Sequence, residues 1–422
     1  MRTFGKLVML GAACISLTAC EKAQKVAASA AGLPTDENVL FWTQDQRDNA
    51  FRQMEVLTTT RTIEAGNNIR KLEAGEPLPD TLKTEHGDLS IDDYMASQRL
   101  AGLVILQDGK IRLEEYRMDF DRNHRWTSFS VAKSLVSSLV GAAIKDGFIK
   151  SLDDLLTDYI PELKGSGYDG VTVKQLLTMT SGVKWNEDYG DKGSDVARFN
   201  NTKSKDGVDP VILYMKTLVN EAKPGTRWQY NTGETNLIGV LVAKATGKSL
   251  SEYLSEKIWK PYGMANDAVW ILNDGGKEIG GCCISATTRD FALFGQFAMN
   301  GGKIGGKYVV PEDWFAQAGT KQADIRKPGA GYGYQWWTFD DGSFAAQGIF
   351  GQGIFIDPKR KLVIAGNGNW PSATPEEKKN ERNAFYRAIQ AYLDSEAAPA
   401  EDKAEDKNAP AKDESAPAGD QN

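Results

Sequence analysis

Ser130 and Lys133 have the residue types and the spacing that a serine nucleophile with its own base requires. Residues three apart on a helix share a face, so the amine of Lys133 can reach the oxygen of Ser130 and take its proton. Apolar residues at helical spacing from Ala132 to Ile144 predict that helix. The simpler alternative is a helix-capping serine followed by a surface lysine, because S-x-x-K alone is a weak motif.

A second candidate base is Tyr230, which lies in the segment Pro224–Glu234. A phenol beside an ammonium group can become an anion that accepts the serine proton. Lys133 can act itself if burial lowers its pKa toward neutrality. Taken alone, Tyr230 is simply a tyrosine in a turn. The residues by themselves do not decide whether Lys133 or Tyr230 is the base.

Histidine and metal chemistries have little support. The chain contains only two histidines, His86 and His124, and it lacks G-x-S-x-G. These absences disfavour a Ser-His-Asp hydrolase, although His124, six residues before Ser130, prevents its exclusion. Neither H-E-x-x-H nor a Cys/His cluster is present, so we expect no metal and no cofactor.

The elements that must position these residues follow from the hydrophobic patterning. Stretches 100–106 and 110–116 flank Asp108-Gly109 and predict a β-hairpin that leads into the Ser130 helix. Residues from about 147 to 275 predict a mainly helical lobe. Strands return at 332–339, 343–347, 353–356 and 362–366, and a closing helix spans 375–393. The pattern predicts an α/β (α+β) fold, with an antiparallel sheet flanked by helices and an inserted helical lobe.

The ordered set of Ser130, Lys133, Tyr230 and a Gly-containing strand near the C-terminus resembles the penicillin-recognising serine hydrolases. That family includes class C β-lactamases, D,D-peptidases and related esterases. Within it, the segments 230–234 and 348–352 are most similar to those of 6-aminohexanoate-dimer hydrolases and carboxylesterases. The resemblance implies a β-lactamase/transpeptidase-like hydrolase domain over residues 98–395, in which Lys133 and Tyr230 act together as base and acid.

The same resemblance implies where a substrate binds. The oxyanion hole would use the backbone N–H groups of Ser130 and Ile349. Residues implied in substrate binding are Gln347, Gly348 and Asn231. One departure is that Ala346-Gln347-Gly348 stands where the family has a Lys-Thr-Gly strand motif. The missing lysine would bind a substrate carboxylate, so its loss favours neutral esters or amides over β-lactams.

The N-terminus predicts export. Basic residues precede an apolar run from 7 to 19 that is too short to span a bilayer as a mature helix, so residues 1–19 are predicted to be a signal peptide. Its last residues and Cys20 resemble the lipobox of bacterial lipoproteins, which implies lipid attachment at Cys20. Glu21 follows rather than aspartate, which by resemblance favours the outer membrane, facing the periplasm. Residues 20–38 are predicted to be a tether, and 39–97 a helical extension with no assigned role.

Charge and cysteine content narrow the possible partners. The tail 396–422 holds eight acidic and three basic residues, without an aromatic or β-branched one, and is predicted to be disordered. It carries most of the net charge of −7, so the body offers no basic face to nucleic acid. Cys14 would leave with the signal peptide, and we expect the adjacent Cys282 and Cys283 to be two buried thiols rather than a strained disulfide.

The sequence therefore predicts a lipid-anchored serine hydrolase that cleaves small esters or amides through an acyl-enzyme on Ser130. One alternative is a β-lactamase or D,D-carboxypeptidase acting on β-lactams or peptidoglycan peptides. Another is a non-catalytic, penicillin-binding-protein-like envelope lipoprotein. The intact set of Ser130, Lys133 and Tyr230 disfavours that last alternative, and the altered strand motif favours it.

Overall fold

The computed structural model describes residues 26, 28–30, 32–35, 39–84 and 87–397. The predicted signal peptide, Cys20, most of the predicted tether and the tail beyond residue 397 lie outside these residues. Within the described ranges, no helix combines the length and the apolar character that a membrane span needs.

The described residues form a seven-stranded antiparallel sheet, a four-stranded antiparallel sheet and two small hairpins. The strands are β1 (Thr60–Ile63), β2 (Thr81–Thr84), β3 (Gly87–Ser90), β4 (Leu100–Gln107), β5 (Lys110–Tyr116), β6 (Trp126–Thr127), β7 (Ala268–Ile271), β8 (Ile284–Ala286), β9 (Lys303–Ile304), β10 (Lys307–Tyr308), β11 (Ala330–Tyr332), β12 (Trp337–Phe339), β13 (Phe344–Gln347), β14 (Gly353–Asp357) and β15 (Leu362–Gly368). The α-helices are α1 (Gln44–Ala50), α2 (Met54–Leu57), α3 (Ile91–Ser97), α4 (Ala132–Lys145), α5 (Leu156–Tyr159), α6 (Val173–Leu177), α7 (Asp195–Asn200), α8 (Pro210–Met215), α9 (Thr232–Thr246), α10 (Leu250–Leu254), α11 (Lys260–Tyr262), α12 (Thr288–Met299), α13 (Trp314–Ala318) and α14 (Glu376–Ala397).

The large sheet has the strand order β11-β12-β13-β14-β15-β4-β5 and is covered on both faces. Side chains alternate along a strand, so Val104 and Leu106 of β4 face the core that includes α12. Leu103 and Ile105 face the opposite core, which includes α14. Because both faces are buried, β4 is apolar along almost its whole length.

The helical lobe packs α9 against α4, the helix that follows Ser130. Leu135 and Leu139 of α4 share one core with Leu237 and Leu241 of α9. The lobe ends earlier than predicted, because β7 begins at Ala268 and joins the second sheet, whose order is β1-β7-β8-β6.

The structure differs from the predicted domain organisation at both ends of the hydrolase domain. The segment 39–97 contains strands β1, β2 and β3 besides three short helices, so the prediction of a helical extension is wrong. Strand β1 pairs with β7, a partner far along the chain that local patterning does not reveal. At the other end, α14 includes Glu396, which the sequence placed in the tail, and Arg112 binds this carboxylate at 2.9 Å.

Cys282 and Cys283 lie directly after Gly281 and just before β8. The structure joins them in a disulfide, so the expectation of two separate thiols is wrong. The backbone of this segment is also anchored, since Trp270 Nε1 donates to the Cys282 carbonyl at 3.0 Å.

Candidate active site

Ser130 lies in a 3₁₀ turn, Phe129–Val131, between β6 and α4. The turn begins with a left-handed residue, Phe129, at φ 43°. Ser128 fixes the turn to β8, because its hydroxyl oxygen accepts from Ile284 N at 3.0 Å. The structure therefore places Ser130 just before the helix that the sequence predicted, on a turn that is hydrogen-bonded to β8.

Lys133 is buried beside Ser130, with 1% of its surface exposed. Its Nζ donates to Ser130 Oγ at 3.1 Å and to the Gly281 carbonyl at 2.6 Å. Burial lowers the pKa of Lys133 to about 8, and the negative charge of Glu187 opposes that shift. A substantial fraction of this amine is therefore neutral near pH 8 and able to accept a proton, which a surface lysine is not.

Tyr230 completes the group that the sequence singled out. Its ring stacks on Trp337 with centroids 5.7 Å apart, and the Lys133 ammonium lies 5.3 Å from the Tyr230 ring centroid. Burial raises the pKa of Tyr230, the charge of Glu187 raises it further, and a hydrogen bond with Ser130 opposes both. The phenol is thus protonated at neutral pH, so it is suited to donating a proton, whereas Lys133 is suited to accepting one.

Glu187 connects the helical lobe to this group, and sequence reasoning missed it. Its carboxylate accepts from Tyr189 OH at 2.7 Å and from Thr232 N at 3.0 Å. Trp185 Nε1 and the Thr232 hydroxyl also donate to it. The sequence shows only an acidic residue between two aromatic residues, Trp185 and Tyr189. Both of these donate to Glu187, and the two donors of Thr232, 45 residues along the chain, complete its place.

Asn231 is not brought to the site as predicted. It caps α9, since its Oδ1 accepts from Glu234 N at 3.1 Å while its Nδ2 donates to Glu234 Oε1 at 3.3 Å. With 1% of its surface exposed, Asn231 has no access to a ligand. The hydroxyl of Ser181 also donates to Glu234. Burial raises the pKa of Glu234 to about 8, so the carboxyl group that Asn231 and Ser181 contact is neutral at pH 7.

The end of β13 approaches the Ser130 turn directly. A Cβ on Gly348 would lie 2.6 Å from the Ser128 carbonyl oxygen, so only glycine permits this approach. The following 3₁₀ turn holds Ile349. Neither the Ser130 N–H nor the Ile349 N–H donates to another described residue, which is the condition expected of oxyanion-hole donors.

The residues around this turn are packed by three aromatic rings. Phe51 of the N-terminal segment lies 5.0 Å from Phe129 and 5.6 Å from Phe350, and the last two rings are 5.4 Å apart. Arg47 lies over the Phe350 ring at 4.5 Å and donates to Asn369 Oδ1 at 2.8 Å. Residues next to each predicted oxyanion donor are thus braced by a segment to which the sequence gave no role.

A cavity of about 280 Å³ opens onto these groups. Its walls include Ser130, Tyr230, Gln347, Gly348 and Ile349, which the sequence predicted, and Tyr189, Trp337, Trp370 and Arg382, which it did not. The described ranges contain no cluster of three or more acidic, Cys or His residues suited to a metal ion.

An antiparallel sheet beside a helical lobe, with a serine and a buried lysine at their junction, defines a serine hydrolase of the β-lactamase-like fold class. Residues 88–388 match the family described as Beta-lactamase, so the chain belongs to the β-lactamase family. It is 29% identical over 361 residues to a 6-aminohexanoate-dimer hydrolase of Paenarthrobacter ureafaciens, covering 81% of this chain and 90% of that protein.

Solved structures share the fold. One from Bacillus anthracis, provisionally described as a 6-aminohexanoate-dimer hydrolase, has a TM-score of 0.72 at 20% identity, covering 87% of this chain and all of that one. A family VIII carboxylesterase has a TM-score of 0.55 at 18% identity, covering 74% of this chain and 99% of that one. The predicted fold class and the predicted class of enzyme, a serine hydrolase, are confirmed.

Proposed function

We propose that the protein cleaves small esters or amides through an acyl-enzyme on Ser130. The observation that carries this proposal is the buried Lys133 amine, which lies 3.1 Å from Ser130 Oγ and has a pKa lowered to about 8. A surface lysine after a capping serine would be solvated and fully charged at that pH. The geometry instead supports a base already in contact with the nucleophile.

Acylation then follows from the positions of three groups. The Ser130 proton passes to Lys133 Nζ while Oγ forms a bond with the substrate carbonyl carbon, and the N–H groups of Ser130 and Ile349 bind the resulting oxyanion. When the tetrahedral intermediate collapses, the bond to the leaving group breaks and that group takes the phenolic proton of Tyr230. Lys133 returns its proton to Tyr230. Water repeats the sequence on the acyl-enzyme and releases the acid.

The relatives support an amide or an ester as the bond that is cleaved. A 29% identical protein is a 6-aminohexanoate-dimer hydrolase, which supports an amide substrate, and a carboxylesterase shares the fold. Ala346 stands where the family's strand lysine is expected, which disfavours β-lactams and peptidoglycan peptides. The family description, Beta-lactamase, keeps those substrates as the second candidate.

A substrate panel tests the proposal on soluble protein that begins at Glu21. Short-chain p-nitrophenyl esters, nitrocefin and a linear amide dimer are compared, and a fluorophosphonate probe reports the nucleophile. We expect ester or amide turnover above nitrocefin turnover, and we expect Ser130→Ala to lose both turnover and labelling. Ser134→Ala is the matched control, because Ser134 lies on the same helix and its hydroxyl binds the Gln335 carbonyl. Labelling that persists in Ser130→Ala would remove the assignment, and preferential nitrocefin turnover would favour the second candidate.

We also propose that Cys20 carries lipid and anchors the enzyme to the outer membrane, facing the periplasm. Support comes from the apolar run and the ending Leu17-Thr18-Ala19-Cys20 alone. Expression of the full chain in a Gram-negative host with labelled palmitate, followed by membrane fractionation, tests this. Label that enters the wild type and not Cys20→Ser, in the outer-membrane fraction, is the expected result; equal labelling of both would contradict the anchor.

A further inference from the structure

The segment 280–284 contacts both the candidate base and the serine turn. Its Gly281 carbonyl accepts from Lys133 Nζ at 2.6 Å. Three residues later, Ile284 N donates to Ser128 Oγ at 3.0 Å, and the Ile284 carbonyl accepts from Ser128 N at 2.8 Å. Because Ser128 is two residues before the nucleophile, one short stretch of backbone helps to place the base and the serine turn together.

The same segment lies against the helix that follows Tyr230. A Cβ on Gly281 would lie 2.8 Å from the Thr232 carbonyl oxygen, and one on Gly280 would lie 2.8 Å from the Thr235 carbonyl oxygen. Glycine at both positions removes the side chains that would keep the two backbones apart. A shift of the segment would therefore reach the start of α9 as well as Lys133.

Cys282 and Cys283 form a disulfide in the middle of this segment. Cys283 has φ 82°, in the left-handed region that a residue with a Cβ adopts only at a cost in free energy. Such a residue persists only where its surroundings hold it there, and the disulfide is the covalent part of those surroundings. Once the S–S bond is broken, Cys283 can return to an ordinary φ, and that rotation would move the neighbouring Gly281 carbonyl.

The pair is accessible to a reductant on one side. Cys282 is partly exposed, whereas Cys283 has 7% of its surface exposed. After Cys20 the chain contains no other cysteine, so neither sulfur has a competing partner in the body of the protein. The pair therefore has two simple states, one disulfide or two thiols.

We propose that the Cys282–Cys283 pair is a redox-sensitive positioning element that holds the Gly281 carbonyl on Lys133 only while it is oxidised. A dithiol attacks one sulfur, and the S–S bond breaks. Two electrons and two protons pass to the pair, which becomes two thiols, while the dithiol closes to its own disulfide. The segment then no longer holds the Lys133 amine, and hydrolysis slows. Oxidised glutathione reverses the change by taking the two electrons and two protons back.

This inference rests on the proposed function, because it concerns the base of that mechanism. Export, which the N-terminus predicts, would bring the chain to a compartment where disulfides form and persist. The oxidised form that holds Lys133 would then be the form that meets substrate.

Kinetics on the soluble protein that begins at Glu21 test the inference, since this protein has only the two cysteines of the pair. The enzyme is reduced with dithiothreitol and its thiols are counted. The reductant is then removed under argon, because thiols themselves cleave p-nitrophenyl esters. The assay is run at pH 9, above the pKa of about 8 for Lys133. We expect kcat to fall about tenfold with less than about a twofold change in KM, since a displaced catalytic group slows the reaction more than it weakens binding. Reoxidation with glutathione disulfide should restore kcat.

The double variant Cys282→Ser, Cys283→Ser should reproduce the reduced enzyme, with a low kcat that dithiothreitol does not change. Ser285→Ala is the control, because Ser285 lies two residues beyond the pair on β8 and its buried hydroxyl has no hydrogen-bond partner in the described part of the chain. Its kcat should fall on reduction and recover on oxidation, as in the wild type. A fully reduced wild type with unchanged kcat would overturn the inference. Loss of kcat only where the melting temperature approaches the assay temperature would also overturn it, because the disulfide would then act as a stabilising cross-link alone.

The Lys133 amine provides a readout that does not need turnover. In Ser130→Ala protein with ¹³C-labelled lysine, NMR follows the pH titration of Lys133 Cε, which is assigned with Lys133→Arg. The titratable groups that face this amine are Glu187 and Tyr230, and a thiol reductant alters neither.

A carbonyl that accepts from Nζ favours the ammonium form, so its withdrawal on reduction should lower the pKa of Lys133 and move the titration midpoint down by about half a pH unit or more. An unchanged midpoint would exclude the inference even if no substrate is cleaved. A midpoint that moves in a protein without turnover would support the positioning element and count against the proposed function.

Discussion

Two regions meet at Ser130, and they are held in place by different forces. The acid–base side is formed by Lys133 and Glu234, which are buried, and by Glu187 and Tyr230, which are partly buried. Its polar groups hydrogen-bond to the backbone or to polar side chains around them. The oxyanion side, formed by Phe51, Phe129, Ile349 and Phe350, consists of aromatic rings and backbone. One side therefore depends on charge and pH, and the other on packing.

The difference matters because each side has a different task. A base must change its protonation state during the reaction, so burial that brings the pKa of Lys133 to about 8 prepares it for that change. Oxyanion donors must not move, because they act by being already oriented toward the developing charge. Titratable groups suit the first task, and close-packed rings suit the second.

The largest effect is expected on the acid–base side. Lys133→Ala and Tyr230→Phe should each lower kcat/KM on the preferred ester by about 10²-fold or more, the scale for a positioned base or acid. Lys133→Ala removes the proton acceptor, and Tyr230→Phe removes only the phenolic hydroxyl. Steady-state kinetics on the soluble protein measure both.

Lys145→Ala is the control for this experiment, because Lys145 is exposed at the end of the same helix. Its kinetics should match those of the wild type. Near-normal turnover in Lys133→Ala or in Tyr230→Phe would remove that residue from the mechanism.

On the oxyanion side, Phe51→Ala should lower kcat by about tenfold with little change in KM, because less well-oriented donors weaken binding of the transition state more than of the substrate. The cavity should also destabilise the fold by roughly 3–5 kcal/mol. Kinetics well below the melting temperature separate the two effects, and Phe51→Leu should recover most of kcat.

Met54→Ala provides the comparison, since Met54 is buried in the same N-terminal segment but none of the three ring contacts involves it. A similar stability loss with normal kcat is expected. If both variants lose kcat in proportion to stability, Phe51 has no positioning role.

The contrast between the two sides also explains what the sequence could predict. Ser130 and Lys133 are three residues apart and Tyr230 occupies a family position, so local spacing and resemblance found them. Phe51 and Arg382 reach the site only through tertiary packing, and nothing near them in the sequence indicates a site. Asn231 was predicted to bind substrate, but a helix cap satisfies its side chain.

The fold shows the same division. The hairpin β4–β5 follows from an Asp-Gly turn between two stretches predicted to be strands, which is local information. Strand β1 was missed because the strand it pairs with among the described residues, β7, is distant in the chain, and the four residues Thr60–Ile63 are too few to show a pattern by themselves. Distant pairing therefore limited the prediction of the segment 39–97.

The pH profile tests whether charge controls the acid–base side. Protonated Lys133 cannot accept the Ser130 proton, so kcat/KM should rise by about tenfold per pH unit below pH 8 and level off above it. Glu187 raises the pKa of Lys133, so Glu187→Gln should move this limb to lower pH and increase activity at pH 7 a few-fold. A glutamine oxygen can still accept from Thr232 N.

Glu252→Gln on the exposed surface of α10 should leave the profile in place. A limb that moves to higher pH in Glu187→Gln, or that does not move at all, would show that Glu187 does not act on Lys133 through its charge.

The smallest effect on activity is expected from Glu234→Gln, because a carboxyl group whose pKa is raised to about 8 is already neutral at pH 7. We expect less than about a twofold change in kcat/KM at that pH, since an amide oxygen can accept from Ser181 as the acid does. The informative measurement is instead the pH dependence of the free energy of unfolding, followed by urea unfolding between pH 5 and pH 8.5.

Between pH 4.5 and about 8 the folded protein holds the Glu234 proton and the unfolded chain does not, so this group makes stability fall as pH rises. Glu234→Gln lacks that slope and should therefore gain stability relative to the wild type from pH 5 to pH 8. Glu221→Gln is the control, because a hydrogen bond from Arg227 holds the pKa of the exposed Glu221 below 4.5. The difference in unfolding free energy between Glu221→Gln and the wild type should therefore stay constant over this pH range. A constant difference for Glu234→Gln as well would mean that Glu234 is ionised in the fold, and that the acid–base side contains one more charge than its burial permits.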